Sequence, residues 1–372
     1  MTADILTRRA LNRATLERQL LLRHSDMSVL DAVEHLVGMQ AQIPLNPYLG
    51  LFSRLEGFRP GALTQLLIDR AVVRTVVMRG TIHLVSADDC LMLRPLMQPV
   101  LDQELARHPQ YGPTLLGLDL EPILEFGRDV LSERPMNGKE LRSAMAKRFP
   151  KRDAAACAYA CRCLLPLVQV PPRGVWRRSG EVRTTTAEAW IGRSLANKPS
   201  IDDVVLRYLA AFGPASTADV ASWSRLTGMR EVLDRLNRKL RRFNDENGRE
   251  LWDVPDAPRP HADTPAPTRF LPEYDNVVLS HADRSRFSSE KHRDRPFATD
   301  KPIHGSVLVD GFLCGTWRIE KDRERGAAVL TVDHMERLTK RASASIAAEG
   351  RRMLRFNVPD ATDHEVRFSP LD

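Results

Sequence analysis

Residues 200–254 read SIDDVVLRYLAAFGPASTADVASWSRLTGMREVLDRLNRKLRRFNDENGRELWDV, which contains three successive helix patterns and two short strand patterns. Two serines are each followed three residues later by an aspartate, the spacing of a capping box at the start of a helix. The pairs are Ser200 with Asp203 and Ser216 with Asp219. We therefore predict a first helix that ends at Gly213-Pro214 and a second that ends at Thr227-Gly228.

The third helix of this segment is predicted over Met229–Leu240, with apolar residues on one face and basic residues elsewhere. Short strands near Arg241–Asn244 and Glu250–Val254 follow it, and Glu246-Asn247-Gly248 forms the turn between them. The order of helix, turn, recognition helix and hairpin is typical of a winged helix-turn-helix unit that binds DNA.

The preceding segment repeats this order. Its helices are predicted over Pro122–Ser132, Lys139–Phe149 and Ala154–Leu165, and its strands over Val168–Val170 and Val182–Thr186. The loop at 171–178 is basic, aromatic and stiffened by prolines, as a wing that lies along a DNA backbone would be. We expect Arg173, Arg177 and Arg178 to contact phosphates there; the alternative is an ordinary exposed hairpin loop.

A first unit, with additional helices, lies near the N-terminus. Helices are predicted over Arg8–Arg23, Ser28–Met39, Pro47–Leu55 and Pro60–Ile68, and strands over Val72–Val77 and Thr81–Val85. The strands turn at Met78-Arg79-Gly80, which makes Arg79 a further candidate for a phosphate contact.

The C-terminal part differs in character. Pro255–Thr268 contains five prolines and predicts a linker. Beyond it, a small sheet-plus-helix module is predicted from strands at Ser306–Val309, Leu313–Ile319 and Ala327–Val332, a helix over Met335–Met353 and a strand-like tail at Glu365–Phe368. The predicted fold is α+β, with tandem winged helix-turn-helix units over 1–118, 119–198 and 199–256 and a linker and β-rich module over 257–372.

The composition excludes several classes of protein. Of 372 residues, 42% are hydrophobic and 28% charged, which allows a sizeable core, while the longest apolar runs are far too short to span a bilayer. We see no signal peptide, and five irregularly placed cysteines favour a reducing compartment, so we expect a soluble, cytoplasmic protein without a membrane partner.

No cofactor is expected, because the sequence has neither a P-loop nor a GxGxxG motif. No metal site is expected either, because no histidine and cysteine pattern has zinc spacing. Cys157, Cys161 and Cys163 are interpreted as small core residues on an alanine-rich helix, with a metal or cluster site as the alternative.

The net charge of +7 is spread unevenly. Pro135–Arg183 contains eleven basic and three acidic residues, a net charge of +8, and Arg225–Arg249 contains eight and four, a net charge of +4. Such clusters fit a polyanionic partner such as DNA, although a solvated basic surface is the alternative.

Two glutamines stand where an apolar helix face ends. The apolar stripe of the helix predicted over Ser28–Met39 runs on to Gln40, and Gln42 follows just before Pro44 breaks the helix. Buried amides require hydrogen-bond partners. The glutamines are therefore either structural, bonding the free carbonyls of the helix end, or functional.

Several motifs resemble those of the bacterial winged-helix DNA glycosylases, and the resemblance covers essentially the whole chain. The motifs are Gln40-Ala41-Gln42-Ile43-Pro44, Asn46-Pro47-Tyr48, Gly50-Leu51, Arg79-Gly80-Thr81-Ile82-His83-Leu84-Val85, Leu271-Pro272-Glu273-Tyr274-Asp275, Asp283-Arg284, and Val309-Asp310-Gly311 with Gly315-Thr316-Trp317. The resemblance is strongest to the Streptomyces branch, the AlkZ-type glycosylases associated with self-resistance to DNA-crosslinking natural products.

That branch has the catalytic motif Gln-aliphatic-Gln, whereas the broader-range branch has Gln-aliphatic-Asp. Glutamine at both 40 and 42 therefore implies the crosslink-specialised type, which unhooks interstrand crosslinks by excising N7-alkylated guanine. The small Ala41 and the lack of Asp at position 42 disfavour activity on diverse simple lesions.

An N7-alkylated guanine carries a positive charge, so its departure needs little acid catalysis. What remains is to support the cationic sugar and to place a water on its anomeric carbon, which neutral amides can do. We assign Gln42 to the water and Gln40 to the sugar or phosphate, with the reverse assignment open. The resemblance adds Asn46 and Tyr48 to the candidate DNA contacts, and also His83, for which a structural role is the alternative.

Three further expectations follow. No lysine precedes Lys139, so the unit that bears the glutamines lacks the amine of a bifunctional glycosylase, and we expect a monofunctional enzyme. A crosslinked guanine cannot swing freely out of the duplex, so we expect an open, basic, concave surface with both glutamines exposed. The Val307–Trp317 hairpin is either a minor-groove probe or a structural hairpin, and Tyr274 and Asp275 are assigned to packing and turn formation.

The rival interpretation is a non-catalytic regulator whose tandem winged helices bind a promoter, because a fold alone does not fix function. The glutamine motif favours the enzyme. Its expected partner is double-stranded DNA with alkylated or crosslinked guanine, and the repeated units suggest that a monomer embraces the DNA alone.

Overall fold

The N-terminal part of the computed structural model contains every helix and strand predicted there. The structure describes residues 4–289, 303–322 and 326–371. The elements are β1 Asp4–Leu6, α1 Arg8–Arg18, α2 Val29–His35, β2 Met39–Gln40, α3 Asn46–Phe52, α4 Pro60–Ile68, β3 Val72–Val76, β4 Ile82–Ser86, α5 Ala87–Leu96, α6 Gln98–Arg107 and α7 Tyr111–Leu115. The side chains of Thr7 and Ser28 cap α1 and α2 by accepting backbone N–H bonds. Strands β1 and β2 and the helices α5 to α7 were not predicted.

The five elements predicted in the middle part are present with boundaries within one residue, whereas the short elements Met136–Asn137 and Ala187–Ile191 were not predicted. The elements of this part are α8 Glu121–Glu133, β5 Met136–Asn137, α9 Gly138–Arg148, α10 Ala154–Leu164, β6 Leu167–Gln169, β7 Arg183–Thr186 and α11 Ala187–Ile191. A capping box between Asn137 and Glu140 starts α9, and Asp153 caps α10. The core between these helices contains Cys157 and Cys161, so the interpretation of the cysteines as core residues is confirmed.

The third part also matches its sequence pattern. Its elements are α12 Ile201–Phe212, α13 Thr217–Ser224, α14 Met229–Leu236, β8 Arg241–Asp245 and β9 Glu250–Asp253. The capping box of Ser216 and Asp219 is confirmed, and Ser200 caps α12 by accepting from the Asp203 N–H. Helix α14 ends four residues earlier than predicted, because a 3₁₀ turn at Asn237–Lys239 leads into β8.

The C-terminal part is a sheet covered by one long helix. Its elements are β10 Arg269–Leu271, α15 Asn276–Leu279, β11 Gly305–Val309, β12 Phe312–Asp322, β13 Ala327–His334, α16 Lys340–Asn357 and β14 Asp363–Pro370. The strands pair in the order β10-β11-β12-β13-β14, and α16 buries Ile346, Met353 and Leu354 against them. The predicted module is confirmed for the described residues; 290–302, 323–325 and 372 lie outside them.

The proline-rich segment at 255–268 has no helix or strand, as a linker requires, but it does pack. Three arginines of α1 donate to its carbonyl oxygens: Arg9 to Ala262, Arg13 to Thr264 and Arg18 to Pro258. The segment is thus held against α1 through its backbone carbonyls, which need no apolar side chain to be bound.

The hairpins of the first two parts merge into one sheet, with the strand order β2-β4-β3-β6-β7-β5. The junction is the antiparallel pair of β3 and β6, with Arg74 opposite Gln169 and Thr75 opposite Val168. In the third part, β1 adds to β8 as a parallel neighbour and covers the edge of that hairpin. The hairpins are thus built into larger sheets.

The fold is therefore mixed α+β, as predicted. Among residues 4–289, 303–322 and 326–371, no helix is long and apolar enough to cross a membrane. The predicted division at residues 118, 198 and 256 stays a prediction.

Candidate functional site

The glutamine motif lies on a strand and not at a helix end. Helix α2 stops at His35, the backbone turns through positive φ angles at Val37 and Gly38, and Gln40 then pairs with His83 across β2 and β4. A Cβ on Gly38 would lie 2.6 Å from Val85 Cγ1, so glycine permits this close turn. The predicted helix over Ser28–Met39 is too long, because tertiary pairing with β4 replaces its last turn.

Gln40 is buried, with 8% of its surface exposed. Its Oε1 accepts a hydrogen bond of 2.9 Å from Nη2 of Arg79. The expectation that both glutamines are exposed is wrong for Gln40. Its side chain is buried, and its amide oxygen accepts a hydrogen bond from the Arg79 cation.

Gln42, two residues further, is exposed and lines a cleft of about 610 Å³. The N–H of Ile82 approaches its Oε1 at 3.4 Å. The cleft lies between the first hairpin and helices α9 and α10, and its wall includes Tyr159 and Arg142. Of the two glutamines, Gln42 is therefore the one that a substrate reaches, and it stands at a half-enclosed cleft and not on the open surface that was expected.

Arg79 and His83 form an internal network behind the glutamines. Nη2 of Arg79 donates to Gln40 Oε1 and to Asn276 Oδ1, and lies 3.2 Å from His83 Nε2. His83 has no exposed surface, and burial, followed by the Arg79 cation, lowers the pKa of the imidazole to about 3. The lack of exposed surface at His83 supports its structural alternative and not the expected DNA contact. Arg79 is partly exposed, and its expected phosphate contact stays a prediction.

Asn46 and Tyr48 are also internal. Asn46 is 3% exposed, and its Nδ2 donates to the Glu273 carbonyl oxygen at 2.7 Å. Tyr48 has no exposed surface; its hydroxyl donates to the Gly174 carbonyl oxygen at 3.0 Å and its ring contacts Trp176. Their expected DNA contacts are contradicted, because both side chains hold other segments of the chain in place.

The loop at 171–178 folds back onto the protein. Trp176 packs against Phe356, and Arg177 pairs with Asp360 at 3.1 Å. The Arg173 guanidinium donates to the Gly180 carbonyl oxygen, whereas Arg178 is exposed. The loop is not a free wing, because its aromatic residue Trp176 is used in packing. Arg177 and Arg178 are nevertheless exposed, and their expected phosphate contacts stay predictions.

The Val307–Trp317 hairpin contacts the N-terminal part of the chain. Its turn at Asp310 and Gly311 packs onto α1, where Asn12 Nδ2 donates to the Gly311 carbonyl oxygen at 2.8 Å and Arg13 pairs with Asp310. These contacts support the structural alternative for the hairpin; the Asp310 side chain is 45% exposed, and the minor-groove alternative stays untested.

The predicted packing and turn roles of Tyr274 and Asp275 are confirmed. Tyr274 has a positive φ of 61°, as a turn residue does. Asp275 caps α15 and forms a buried bidentate pair with Arg54, with two contacts of 2.8 Å. This pair fixes the segment that carries Asn276, the second acceptor of Arg79.

Sequence reasoning missed two residues of the cleft wall, Arg74 and Gln169, which line it together with Gln42. Arg74 has 1% of its surface exposed. The available signal was an arginine in the middle of a strand otherwise composed of valine and threonine. Nothing in the sequence pattern marked Gln169 as a cleft residue, because it reaches this wall only through the pairing of β3 with β6.

The cleft contains no lysine among its described lining residues, and its cations are arginines. Within the described part of the chain, no group of three or more histidines, cysteines and carboxylates is placed to hold a metal ion. The chemistry that the described side chains themselves offer at Gln42 is thus that of amides, hydroxyls and guanidinium groups.

Comparison with known proteins gives one family. The sequence model of the AlkZ-like DNA glycosylases matches residues 33–356. An interstrand DNA cross-link repair glycosylase of Streptomyces sahachiroi is 24% identical over 330 residues, which cover 82% of this chain and 85% of that protein. The solved structure of the DNA glycosylase AlkZ of the same organism is similar with a TM-score of 0.74 and 19% identity, over 99% of this chain and 100% of that one.

These matches leave the regulator without support, because the family model spans most of the chain, including the glutamine motif and the cleft. The similarity of the solved structure extends to the whole fold. The chain therefore belongs to the AlkZ-like DNA glycosylase family and is a DNA glycosylase.

Proposed function

We propose that this chain hydrolyses the N-glycosidic bond of N7-alkylated guanine in double-stranded DNA, including guanines held in interstrand crosslinks. The observation that carries the proposal is the exposed Gln42 at the mouth of a cleft, with Gln40 fixed behind it. The Streptomyces sahachiroi relative is named as a cross-link repair glycosylase, and this chain has glutamine at both ends of the motif.

The proposed chemistry uses amides because the leaving group is already activated. The positive charge of the alkylated base disappears as the bond to the sugar breaks, so a strong general acid is not required. The Gln42 amide positions the water that attacks the anomeric carbon, and its carbonyl dipole supports the developing cation.

Gln40 takes a positioning role in this proposal. Its Oε1 is occupied by Arg79, and burial lowers the pKa of that guanidinium to about 10, so it remains a cation at neutral pH. A fixed Gln40 holds β2 against β4 and thereby sets the direction of the backbone that carries Gln42. This positioning role differs from the direct contact with sugar or phosphate to which the sequence analysis assigned Gln40.

The three helical segments, each followed by a hairpin, are proposed to be winged helix-turn-helix units, of which the middle one supplies most DNA contacts. Its cations Lys147, Arg148, Lys151 and Arg152 are exposed and have no acidic partner within 4.0 Å among the described residues. Phosphate contacts from such a surface give affinity without sequence preference. Because all units lie on one chain, a monomer suffices.

The test is excision from duplexes that carry one N7-methylguanine or one interstrand crosslink, followed by alkali and a denaturing gel. We expect alkali-dependent strand scission with the wild type and a loss of at least about 100-fold in rate for Gln42→Ala, as for the removal of one oriented transition-state contact. Gln40→Ala should lose less. Gln65→Ala is the matched control, since that glutamine is exposed and bonds only to Asp69.

Two outcomes would contradict the proposal. Scission before alkali, or trapping of the protein on DNA by borohydride, would show a bifunctional enzyme with an amine nucleophile. Intact lesions with every variant would remove N7-alkylguanine as the substrate.

A further inference from the structure

Two strands that meet at the centre of the merged sheet supply one wall of the cleft. Arg74 of β3 lies opposite Gln169 of β6, and both side chains line the cleft together with Gln42. Side chains directly opposite each other on paired strands share a face of the sheet, with Cβ atoms about 5 Å apart. A cation and an amide therefore stand side by side, next to the exposed glutamine.

The Arg74 guanidinium is only partly satisfied. Nη2 donates to the Ala41 carbonyl oxygen at 2.8 Å, between the two glutamines, whereas Nε and Nη1 are buried and have no hydrogen-bond partner among the described residues. Burial, followed by the nearby Arg173 cation, lowers the pKa of Arg74 to about 10, so the group stays charged at neutral pH. Buried N–H groups without acceptors cost free energy, which an oxygen of a bound ligand recovers.

The amide opposite is unsatisfied as well. Oε1 of Gln169 is buried, and it has no hydrogen-bond partner within the described ranges. The unpaired donors of Arg74 and the unpaired acceptor of Gln169 thus belong to directly opposite residues of paired strands, and no hydrogen bond joins them. This arrangement matches a flat ligand whose edge carries an acceptor next to a donor.

We propose that Arg74 and Gln169 recognise the Watson–Crick edge of a guanine that has left the duplex and entered this cleft. Arg74 donates to O6, and Gln169 Oε1 accepts from N1–H. Adenine presents the reverse order, a donor at N6 and an acceptor at N1, and leaves both protein groups unpaired. The inference rests on the proposed function and names how that site selects its base; it applies to monoadducts, which can be extruded, and not to guanines held in a crosslink.

The size of the cleft fits this use. Its volume of about 610 Å³ lies within the ~300–1,000 Å³ of sites that enclose small organic ligands. Gln42 lines the cleft and is exposed, so a base bound in the cleft can place its sugar next to the proposed water-positioning amide.

The Arg74 cation also distinguishes the transition state from the ground state. As the bond from the anomeric carbon to N9 breaks, its electron pair passes to the base, the water oxygen bonds to that carbon, and a water proton passes to solvent. The base is cationic before this step and neutral after it, so repulsion from Arg74 falls while its bond to O6 strengthens. Because Arg74 also binds the Ala41 carbonyl, base recognition and the position of Gln42 are coupled.

The test compares single-turnover excision of N7-methylguanine and N3-methyladenine from otherwise identical duplexes. Gln169→Leu removes the acceptor, and Gln65→Leu makes the same change at an exposed glutamine outside the cleft as the control. We expect Gln169→Leu to excise N7-methylguanine about 10- to 100-fold more slowly, Gln65→Leu to stay within about threefold, and any excision of N3-methyladenine to change little. Thermal melts establish that each variant is folded.

The outcomes separate this inference from the function on which it rests. A folded Gln169→Leu with unchanged N7-methylguanine excision overturns base recognition and leaves the proposed function intact. If the wild type excises no N7-methylguanine, the proposed function fails. Calorimetric titration with free 7-methylguanine then tests base recognition by itself. Binding that is lost in Gln169→Leu supports recognition in the cleft, and no binding overturns it.

Discussion

His83 lies opposite Gln40 in the merged sheet and is enclosed on all sides. In the neutral tautomer that fits its surroundings, Nδ1–H donates to the Thr81 carbonyl oxygen at 3.0 Å and the unprotonated Nε2 lies 3.2 Å from Nη2 of Arg79. Protonation at Nε2 would set two cations against each other without solvent. The residue therefore holds Arg79 and Gln40 in place as a neutral group and is not a general acid.

The pKa of His83 predicts a pH dependence of stability. Burial lowers that pKa to about 3 in the folded chain, whereas an unfolded histidine has a pKa of about 6.5. Below pH 6.5 the unfolded state binds a proton that the folded state does not, so the free energy of unfolding falls as the pH falls. His83→Gln should make the loss between pH 7 and pH 5 smaller by about 2 kcal/mol.

Urea unfolding at the two pH values measures this difference. His24 and His281 also have lowered pKa values, of about 4 and about 3, so part of the acid sensitivity should persist in the variant. An identical pH dependence in wild type and variant would mean that His83 is already solvated.

At the scale of elements, the hairpins decide how the parts of the chain meet. The β3–β6 pair fuses two hairpins that the sequence predicts as separate, and this fusion creates the cleft wall with Arg74 and Gln169. The loop at 171–178 then closes over Tyr48 and reaches α16 through Trp176. Elements that a free winged helix would present to DNA are used here to join the units.

The turn of the β11–β12 hairpin gives a prediction at this scale. A Cβ on Gly311 would lie 2.5 Å from Asn12 Oδ1 and 2.6 Å from Leu16 Cδ1, and its φ is 79°. Gly311→Ala should therefore lower the free energy of unfolding by about 2 kcal/mol or more, from backbone strain together with the clash. Thermal or urea unfolding measures the loss.

Gly248→Ala is the matched control, because its φ is 77° but nothing lies within 4 Å of the added methyl group. It should cost only the strain of a positive φ, about 1 kcal/mol. Equal losses in the two variants would show that the contact with α1 contributes nothing.

Across the whole molecule, the basic segments Pro135–Arg183 and Arg225–Arg249 differ in whether the cations of their helices α9 and α14 have acidic partners. The cations of α14 are paired: Arg230 with Asp234 and Glu250, and Arg235 with Asp202. Lys147 and Arg148 at the end of α9 have no acidic partner within 4.0 Å among the described residues. In the proposed winged helix-turn-helix unit α14 would be the recognition helix, but the charges of its two arginines are compensated, and we expect the middle part to attract DNA.

The salt dependence of DNA binding tests this difference. The double variant Lys147→Ala/Arg148→Ala should reduce the slope of log K against log salt concentration by about 2, because each lost phosphate contact removes about one released counterion. The matched double variant Arg230→Ala/Arg235→Ala should change the slope by less than about 1. A larger change of slope in the α14 double variant than in the α9 double variant would place the DNA on α14.

How much the sequence predicts depends on the distance between interacting residues. The helices of the middle and third parts, and the capping box at Ser216, follow from spacing of 3.6 residues and from side chains that bond three residues away. The glutamine motif was found, but Gln40 was placed on a helix, because its partner His83 lies more than forty residues further along the chain.

The sequence by itself determined most of the helices and strands and their order, the α+β class, the basic middle segment and the candidate glutamines, since these follow from local patterns of polarity, capping and turns. Only the tertiary structure decided which polar side chains face solvent. It turned His83, Asn46 and Tyr48 inward, left Gln42 at the cleft, and set Arg74 opposite Gln169. The physical reason is that burial and hydrogen-bond satisfaction depend on contacts between segments, which no local pattern encodes.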